Sequence, residues 1–513
     1  MSTTTYDYDV AIIGYGPTAN IAANYLGAAG ISTVIIERDA DLYSRARAVT
    51  VDGTTMRIFQ QMGLSDAVKE DMDVTAFLRW KTYQGKEFMR IKPGGGNWGH
   101  ANSYMIYQPL MEAKLRAGVE RYTCIDIHFG RVMSGLEQDI SGVTVSTTDA
   151  TGKKNSTLRV KYVIGADGGS SLTRKLIGST AQGKTKERTW IIIDSLVKKP
   201  WPDSDVLTFW SDVDRPAVDI PLSRGHHRWE IPLTEKDKKE DFESAEQIWG
   251  LLSSFGITPE HVDVTHHAFY NHHIRMVDKW RSGRVILAGD AAHLMPPWAG
   301  QGMQSGIRDA QNLAFKLSLI LQHGVDDSIL DSYQVERQPH VEKMTQSAIS
   351  LGSLIEAKKG PAQVIRNTMM PILSKSPKFA NSLAVSPDAS HGWFAAAPSR
   401  KNPLGQMLPQ PEVTDSAGQA TPVDDLIRIG FAVIGLDVDA RTVSGVSPWL
   451  ELGARVVTIN SQGSAAIEGA YLDTSGEITS WMKERGARII VLRPDRLVVA
   501  SDNTSLRVPV ALV

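Results

Sequence analysis

Cysteine is almost missing from this 513-residue chain: Cys124 stands alone. That excludes an intramolecular disulfide and any cysteine-based metal cluster, and it fits a reducing cytosol. Net charge is also nearly absent. Fifty-five basic against 57 acidic side chains leave -2 at pH 7, so the composition points neither to nucleic acid nor to an anionic membrane. No apolar run reaches the ~18–20 residues of a membrane span, and the opening MSTTTYDYD lacks the basic segment that starts a signal peptide. A cytoplasmic protein is expected, with no nucleic-acid or membrane partner. A chain of 513 residues holds two or three domains of roughly 100–200 residues each, with a substantial core.

What the chain does have is concentrated between Arg284 and Leu321. Val285, Ile286 and Leu287 predict a short buried strand, ended by Ala288 and Gly289, where something must approach the backbone closely. Asp290 follows directly. A loop with Pro296, Pro297, Gly300 and Gly302 comes next, then a helix whose apolar positions Ile307, Ala310, Ala314, Leu317 and Leu321 recur at three- and four-residue spacing. A glycine-rich loop entering a helix offers free N–H groups and the positive end of a dipole. That suits a phosphate, or a ring that becomes anionic on reduction. An ordinary crossover with a tight turn would give the same local pattern.

The N-terminus carries a second unit of this kind. Asp9 to Gly14 predicts a buried strand running into Gly14-Tyr15-Gly16-Pro17-Thr18-Ala19, a helix ends near Gly30, and STVIIER predicts a strand closing on Glu37. This is a βαβ unit with the dinucleotide fingerprint in its G-x-G-x-x-A form. Gly14 permits the tight turn, Gly16 lets a pyrophosphate reach the backbone, and Ala19 lets helix and strand pack closely. Glu37, 23 positions after Gly14, stands where a carboxylate can accept hydrogen bonds from ribose hydroxyls. Both FAD and NAD fit this unit. Arg45 and Arg47 follow the second strand, where an arginine can pair with the pyrophosphate or simply be solvated. Gln108 and Pro109 open a helix, and Leu158 to Ala166 predicts a further strand ending on Asp167-Gly168.

Together, Gly14-x-Gly16-x-x-Ala19 with Glu37, Asp167-Gly168, and Gly289-Asp290 with Pro296, Pro297, Gly300 and Gly302 resemble the single-component FAD-dependent aromatic hydroxylases, the group A flavoprotein monooxygenases, from about residue 8 to 350. RAVTVDGTTMRIFQQMGL, HRWEIPL and MPPWAGQGMQSGIRDAQNLAFKL look most like the 3-(3-hydroxyphenyl)propionate hydroxylase and phenol hydroxylase branch. The resemblance implies tightly bound FAD contacted by Gly14, Gly16, Pro17, Thr18 and Ala19, with Glu37 and Arg38 at the adenosine end. Arg47 would meet the phosphates, Gln108 the ribityl or phosphate region, Asp167 the FAD and a transient nicotinamide site, and Asp290 the ribityl chain. Pro297, Gly300, Gln301, Gly302, Met303 and Gln304 would line the isoalloxazine.

It also implies the reaction: NADPH or NADH reduces the flavin, dioxygen forms a C4a-hydroperoxide, and a phenolic ring is hydroxylated. Asp52 matches a phenol hydroxylase acid near the substrate hydroxyl and would act as base; as the residue before TTMRIFQQMG it reads equally as a helix N-cap. His293 lies inside the motif and reads as structural. A ring-opening or decarboxylating outcome and a catalytically silent FAD-binding partner protein share these motifs. A flavin halogenase lacks support without a W-x-W-x-I-P segment, of which Trp229-Glu230-Ile231-Pro232 is a distant echo.

The expected architecture is α/β. An FAD-binding Rossmann-like domain (1–180 and 276–360, the latter with long helices) carries an inserted, mostly antiparallel substrate domain (181–275), a linker (361–400) and a C-terminal domain (401–513) that resembles the thioredoxin-like tail of the phenol hydroxylase branch, best at Arg493-Pro494-Asp495. In that last domain ARVVTI, EITSWMKERG and ARIIVLRPDRLVVAS predict a βαββ arrangement without cysteine, so it serves packing or subunit contact, as in a homodimer, rather than dithiol chemistry. Histidines at 226, 227, 266, 267, 272 and 273 read as solvated strand ends rather than metal ligands.

Overall fold

Four of the apolar runs become neighbouring parallel strands. Val285–Leu287, Ser156–Gly165, Tyr8–Ile13 and Thr33–Ile36 lie in that order, with Ile125–His128 beyond them. Strands buried on both faces need continuous apolar sequence, and Thr33–Ile36 and Val285–Leu287 are buried throughout. Register places Ile13 beside Gly165 and Ile36, and Gly165 beside Leu287. The chain therefore leaves these strands at one common edge, and Gly14, Ala166 and Ala288 emerge together, where α/β sheets bind ligands. The computed structural model describes residues 5–42, 46–93, 97–149, 151–212, 215–355, 360, 368–369, 371–373, 375–376 and 401–509. Arg45 and most of the 361–400 linker lie outside the described residues.

A second sheet of eight strands runs His293–Leu294, Val262–Val277, Ala181–Val197, His226–Pro232, Ala217–Pro221, Leu207–Ser211, Leu78–Thr82 and Glu87–Ile91. It extends beyond the 181–275 segment: Leu78–Thr82 joins by pairing in parallel with Leu207–Ser211, and Glu87–Ile91 follows antiparallel. The remaining pairings within the sheet are antiparallel. Two of the clustered histidines are not solvated strand ends. His227 is buried with Asp219, and His272 is buried between Trp190 and Trp298, because both occupy central strands covered on the face they use. Among the described residues no group of three or more His, Cys, Asp or Glu could hold a metal ion.

A seven-stranded sheet forms the C-terminal domain. Its helix Glu477–Glu484 and strands Arg455–Asn460, Ile489–Leu492 and Val498–Ser501 fall where the sequence reading places them. An inner strand, Ala432–Leu436, is fully buried and pairs parallel with Arg455–Asn460 and antiparallel with Ile489–Leu492. No described helix is long and apolar enough to cross a membrane.

Candidate active site

Gly14 shows why its position excludes a side chain. Its φ is +94°, and a Cβ there would stand 2.6 Å from the Ala166 carbonyl oxygen. Gly16 is different: a Cβ would meet nothing within 4 Å, and the residue opens onto a cavity at the uncapped N-terminus of helix Pro17–Ala28. The cradle thus fits a pyrophosphate approaching free N–H groups. Pro17 and Thr18 line the same cavity, and Ala19 is buried beneath them.

The cavity measures about 460 Å³ and runs from this loop past Arg47, Gln108 and Asp290 to a wall formed by Met295 to Gln304. Gln108 fixes the Arg47 segment, its Oε1 accepting from the backbone N–H groups of Arg47 (2.9 Å) and Ala48 (2.5 Å). Buried Arg228 holds the same segment from the other side: it pairs with Asp194 and donates to the carbonyls of Ala46 and Arg47. Asp290 is enclosed by protein but accessible from within the cavity, and its oxygens accept from no donor among the described residues. Burial raises its pKa from the ordinary aspartate value against the pull of His293 and Arg47. It is an acceptor awaiting hydroxyl donors, which suits a ribityl chain.

Behind this loop, His293 is structural. Its Nε2 is 2.6 Å from Asp309 Oδ2, and Asp309 also accepts from Gly289 N and Arg337 Nε. Asp167 is engaged in the same way, accepting from Ser171 Oγ, Thr173 N and Thr173 Oγ1; its neighbours Ala166 and Gly168 line the cavity instead. Glu37 accepts from the N–H groups of Tyr15 (2.6 Å) and Asp39 (2.9 Å), beside the fingerprint turn. Arg38 is exposed, pairs with Asp39 and does not line the cavity.

Both readings of Asp52 meet in one side chain. It caps helix Gly53–Gln61, Oδ1 accepting from Thr55 N and Thr54 Oγ1, and it also lines the cavity. Its Oδ2 accepts from Arg308 Nη2 (2.5 Å) and Gln301 Nε2 (3.5 Å). Burial pushes its pKa up, but Arg308 and the donors from Thr54 and Thr55 outweigh that and leave it below the usual range. Gln304 ties the glycine loop down, accepting from Asp52 N and Thr55 Oγ1 and donating to the Gly300 carbonyl. Pro297, Gly300, Gln301, Gly302 and Met303 line the cavity alongside it, Gly302 opening helix Gly302–His323 without a side-chain cap.

Sequence reasoning missed Arg308, although it sits one helical turn beyond Gln304 and so faces the same way. It also missed the far end of the cavity, where Trp80, Phe209, Val218 and Ile220 form an apolar wall with Glu230 beside it. Those residues come from four strands and share no local motif.

The profile of the family described as FAD binding domain matches residues 7–348, and the chain belongs to that family. A second profile, HcaD C-terminal domain, matches residues 405–509. Among curated proteins, the 3-(3-hydroxy-phenyl)propionate/3-hydroxycinnamic acid hydroxylase of Mycolicibacterium smegmatis is 31% identical, over 96% of this chain and 90% of that one. The protein of the same name from Escherichia coli is 29% identical, over 97% and 92%. Of solved structures, aklavinone-11 hydroxylase in complex with FAD and aklavinone superposes with a TM-score of 0.78 at 20% identity, over 98% of this chain and 97% of that one. Anhydrotetracycline hydroxylase from Streptomyces rimosus gives 0.77 at 22%, over 96% and 95%. The structural likenesses establish the fold.

Proposed function

We propose that this chain is an FAD-dependent monooxygenase that hydroxylates a phenolic ring, using NADH or NADPH as a transient cosubstrate and dioxygen, in the cytoplasm. One observation carries the reading: a single cavity joins an open dinucleotide cradle at Gly16 to an apolar aromatic chamber, with the Pro297–Gln304 loop along its side. When bound, FAD supplies the electron storage and the activation of dioxygen.

The chain's residues bind, orient and dry the site. Gly16, Pro17 and Thr18 would take the pyrophosphate, Arg47 its charge, Asp290 the ribityl hydroxyls, and Gln301 to Gln304 the flavin ring. Trp80 and Phe209, stacked with centroids 4.6 Å apart, exclude water from the substrate end. Asp52 acts from the boundary between the two ends. Its four donors leave it a weak proton acceptor, so its contribution is to hold Gln301 at the cavity wall, directly and through Arg308.

The test is NADH and NADPH oxidation by the purified holoprotein with and without a panel of phenols, with product and hydrogen peroxide quantified. A phenol that accelerates coenzyme oxidation with matching oxygenated product is the expected result. Unaltered rates with every phenol, or all oxygen returned as peroxide, would overturn the reading.

A further inference from the structure

The substrate end of the cavity is built from one row of side chains crossing the second sheet. Trp80 pairs with Phe209, Phe209 with Val218, and Val218 with Glu230, so all four stand side by side on one face and all four line the cavity. A carboxylate at the end of an aromatic and aliphatic row is costly to bury without donors. Glu230 is only 7% exposed, and its Oε2 accepts from the Tyr270 hydroxyl at 2.8 Å. The nearest cation to Oε1 is Arg228 Nη1 at 3.9 Å, a guanidinium already committed to Asp194 and to the carbonyls of Ala46 and Arg47. Oε1 therefore has attraction from Arg228 but no hydrogen bond, in a residue that lines the cavity. Asp52 offers no comparable vacancy, since both its oxygens already accept.

We infer that Glu230 accepts a hydrogen bond from the ring hydroxyl of the phenolic substrate through Oε1, while Tyr270 holds the other oxygen, and that this contact selects a hydroxylated ring. The inference rests on the aromatic end holding the ring, as proposed above. Burial raises the pKa of Glu230 against the opposing effects of Arg228 and Tyr270, which makes it a stronger acceptor than an exposed carboxylate. Tyr270 is a positioning residue: it touches Glu230, and its hydroxyl fixes which oxygen is left for the substrate.

Binding of phenol and of fluorobenzene, similar in shape but unable to donate, to the oxidised holoprotein is read from the perturbation of its flavin absorbance. The wild type should prefer phenol by about tenfold or more, the weight of one charge-assisted hydrogen bond. Glu230→Ala should bring the preference close to one, Glu230→Gln should keep part of it through the amide oxygen, and Tyr270→Phe should lower it by a smaller factor. The preference is a ratio within each variant, so a general loss of packing does not imitate it. An unchanged preference in Glu230→Ala, or its loss in Asp52→Asn alone, would overturn the inference. A Glu230-dependent preference without coupled product in the oxidation assay would leave this site standing and overturn the proposed activity.

Discussion

Gly14 and Gly16, two positions apart, fail for different reasons when replaced. Gly14→Ala puts a methyl group 2.6 Å from the Ala166 carbonyl in a left-handed conformation, so it should cost about 2 kcal/mol or more of stability in a urea melt. Gly16→Ala fills only space that faces the cavity. It should leave the melt of the flavin-free protein unchanged within about 0.5 kcal/mol while lowering FAD content after purification by tenfold or more. Equal loss of stability in both would refute the assignment of the Gly16 space to a ligand. Both glycines were legible because the strand, turn and helix that need them are contiguous in sequence. The Asp52–Arg308 ion pair was not, because 256 positions separate its partners and only the fold brings them together. The buried histidines belong at this scale too. Burial lowers the pKa of His272 to about 3, helped by Lys186 and His273, so the folded chain stays neutral there while the unfolded chain takes up a proton below about pH 6.5. The unfolded state then binds more protons, and stability is lost as pH falls from about 6.5 toward 3. His272→Phe, which keeps the aromatic packing against Trp190 and Trp298, should flatten this decline and gain up to about 2 kcal/mol over the wild type at pH 5. Parallel stability–pH curves for the two proteins would contradict it.

The helix Gly302–His323 was readable from its apolar spacing, yet its polar positions do as much to place the site. Gln304 and Arg308 reach Asp52 and its helix, Asp309 holds the Gly289 and His293 loop, and Asn312 and Lys316 reach Glu336 in helix Asp331–Ile355. Periodicity predicts an element and its buried face, but it does not name a polar residue's partner on another element. The strands Leu78–Thr82 and Glu87–Ile91 escaped for a related reason: each is five residues long and pairs with a strand or hairpin whose place only the assembled sheet defines. The helix allows a direct check. Arg308→Met would leave Asp52 with a largely buried charge and no cation, at a cost of about 3 kcal/mol at pH 7. Because the folded-state pKa of Asp52 is depressed, the ion pair stabilises above the unfolded carboxylate value near 4 and less as pH falls through the folded pKa. The gap between variant and wild type in denaturant melts should therefore narrow below about pH 4; a gap independent of pH would mean that Arg308 acts through packing alone.

Across the molecule, the C-terminal domain is joined to the FAD-binding part by apolar core and by buried charge. Phe431, Val433, Trp449 and Val491 belong to the same continuous core as Ile12, Ala19 and Leu313. Asp424 accepts two hydrogen bonds from Arg57, on the helix capped by Asp52, and pairs with Arg496; Glu336 pairs with Arg493 and Lys316. The sequence places a separate folding unit beyond residue 401, because its strands and helix are local, whereas the seam is made of isolated charges that carry no pattern. A seam of this kind makes the two parts unfold together: exposing it would separate Arg57 from Asp424 and Arg493 from Glu336 in one step. Thermal unfolding of the holoprotein should therefore show flavin release and loss of far-UV circular dichroism at one midpoint. Asp424→Asn should lower both signals together, by about 3–5 kcal/mol, through the two buried guanidinium groups it leaves under-paired. If circular dichroism fell in an early step while flavin stayed bound, the C-terminal domain would be an independent unit, and the path from Asp424 through Arg57 to the Asp52 helix would carry no stability to the flavin site.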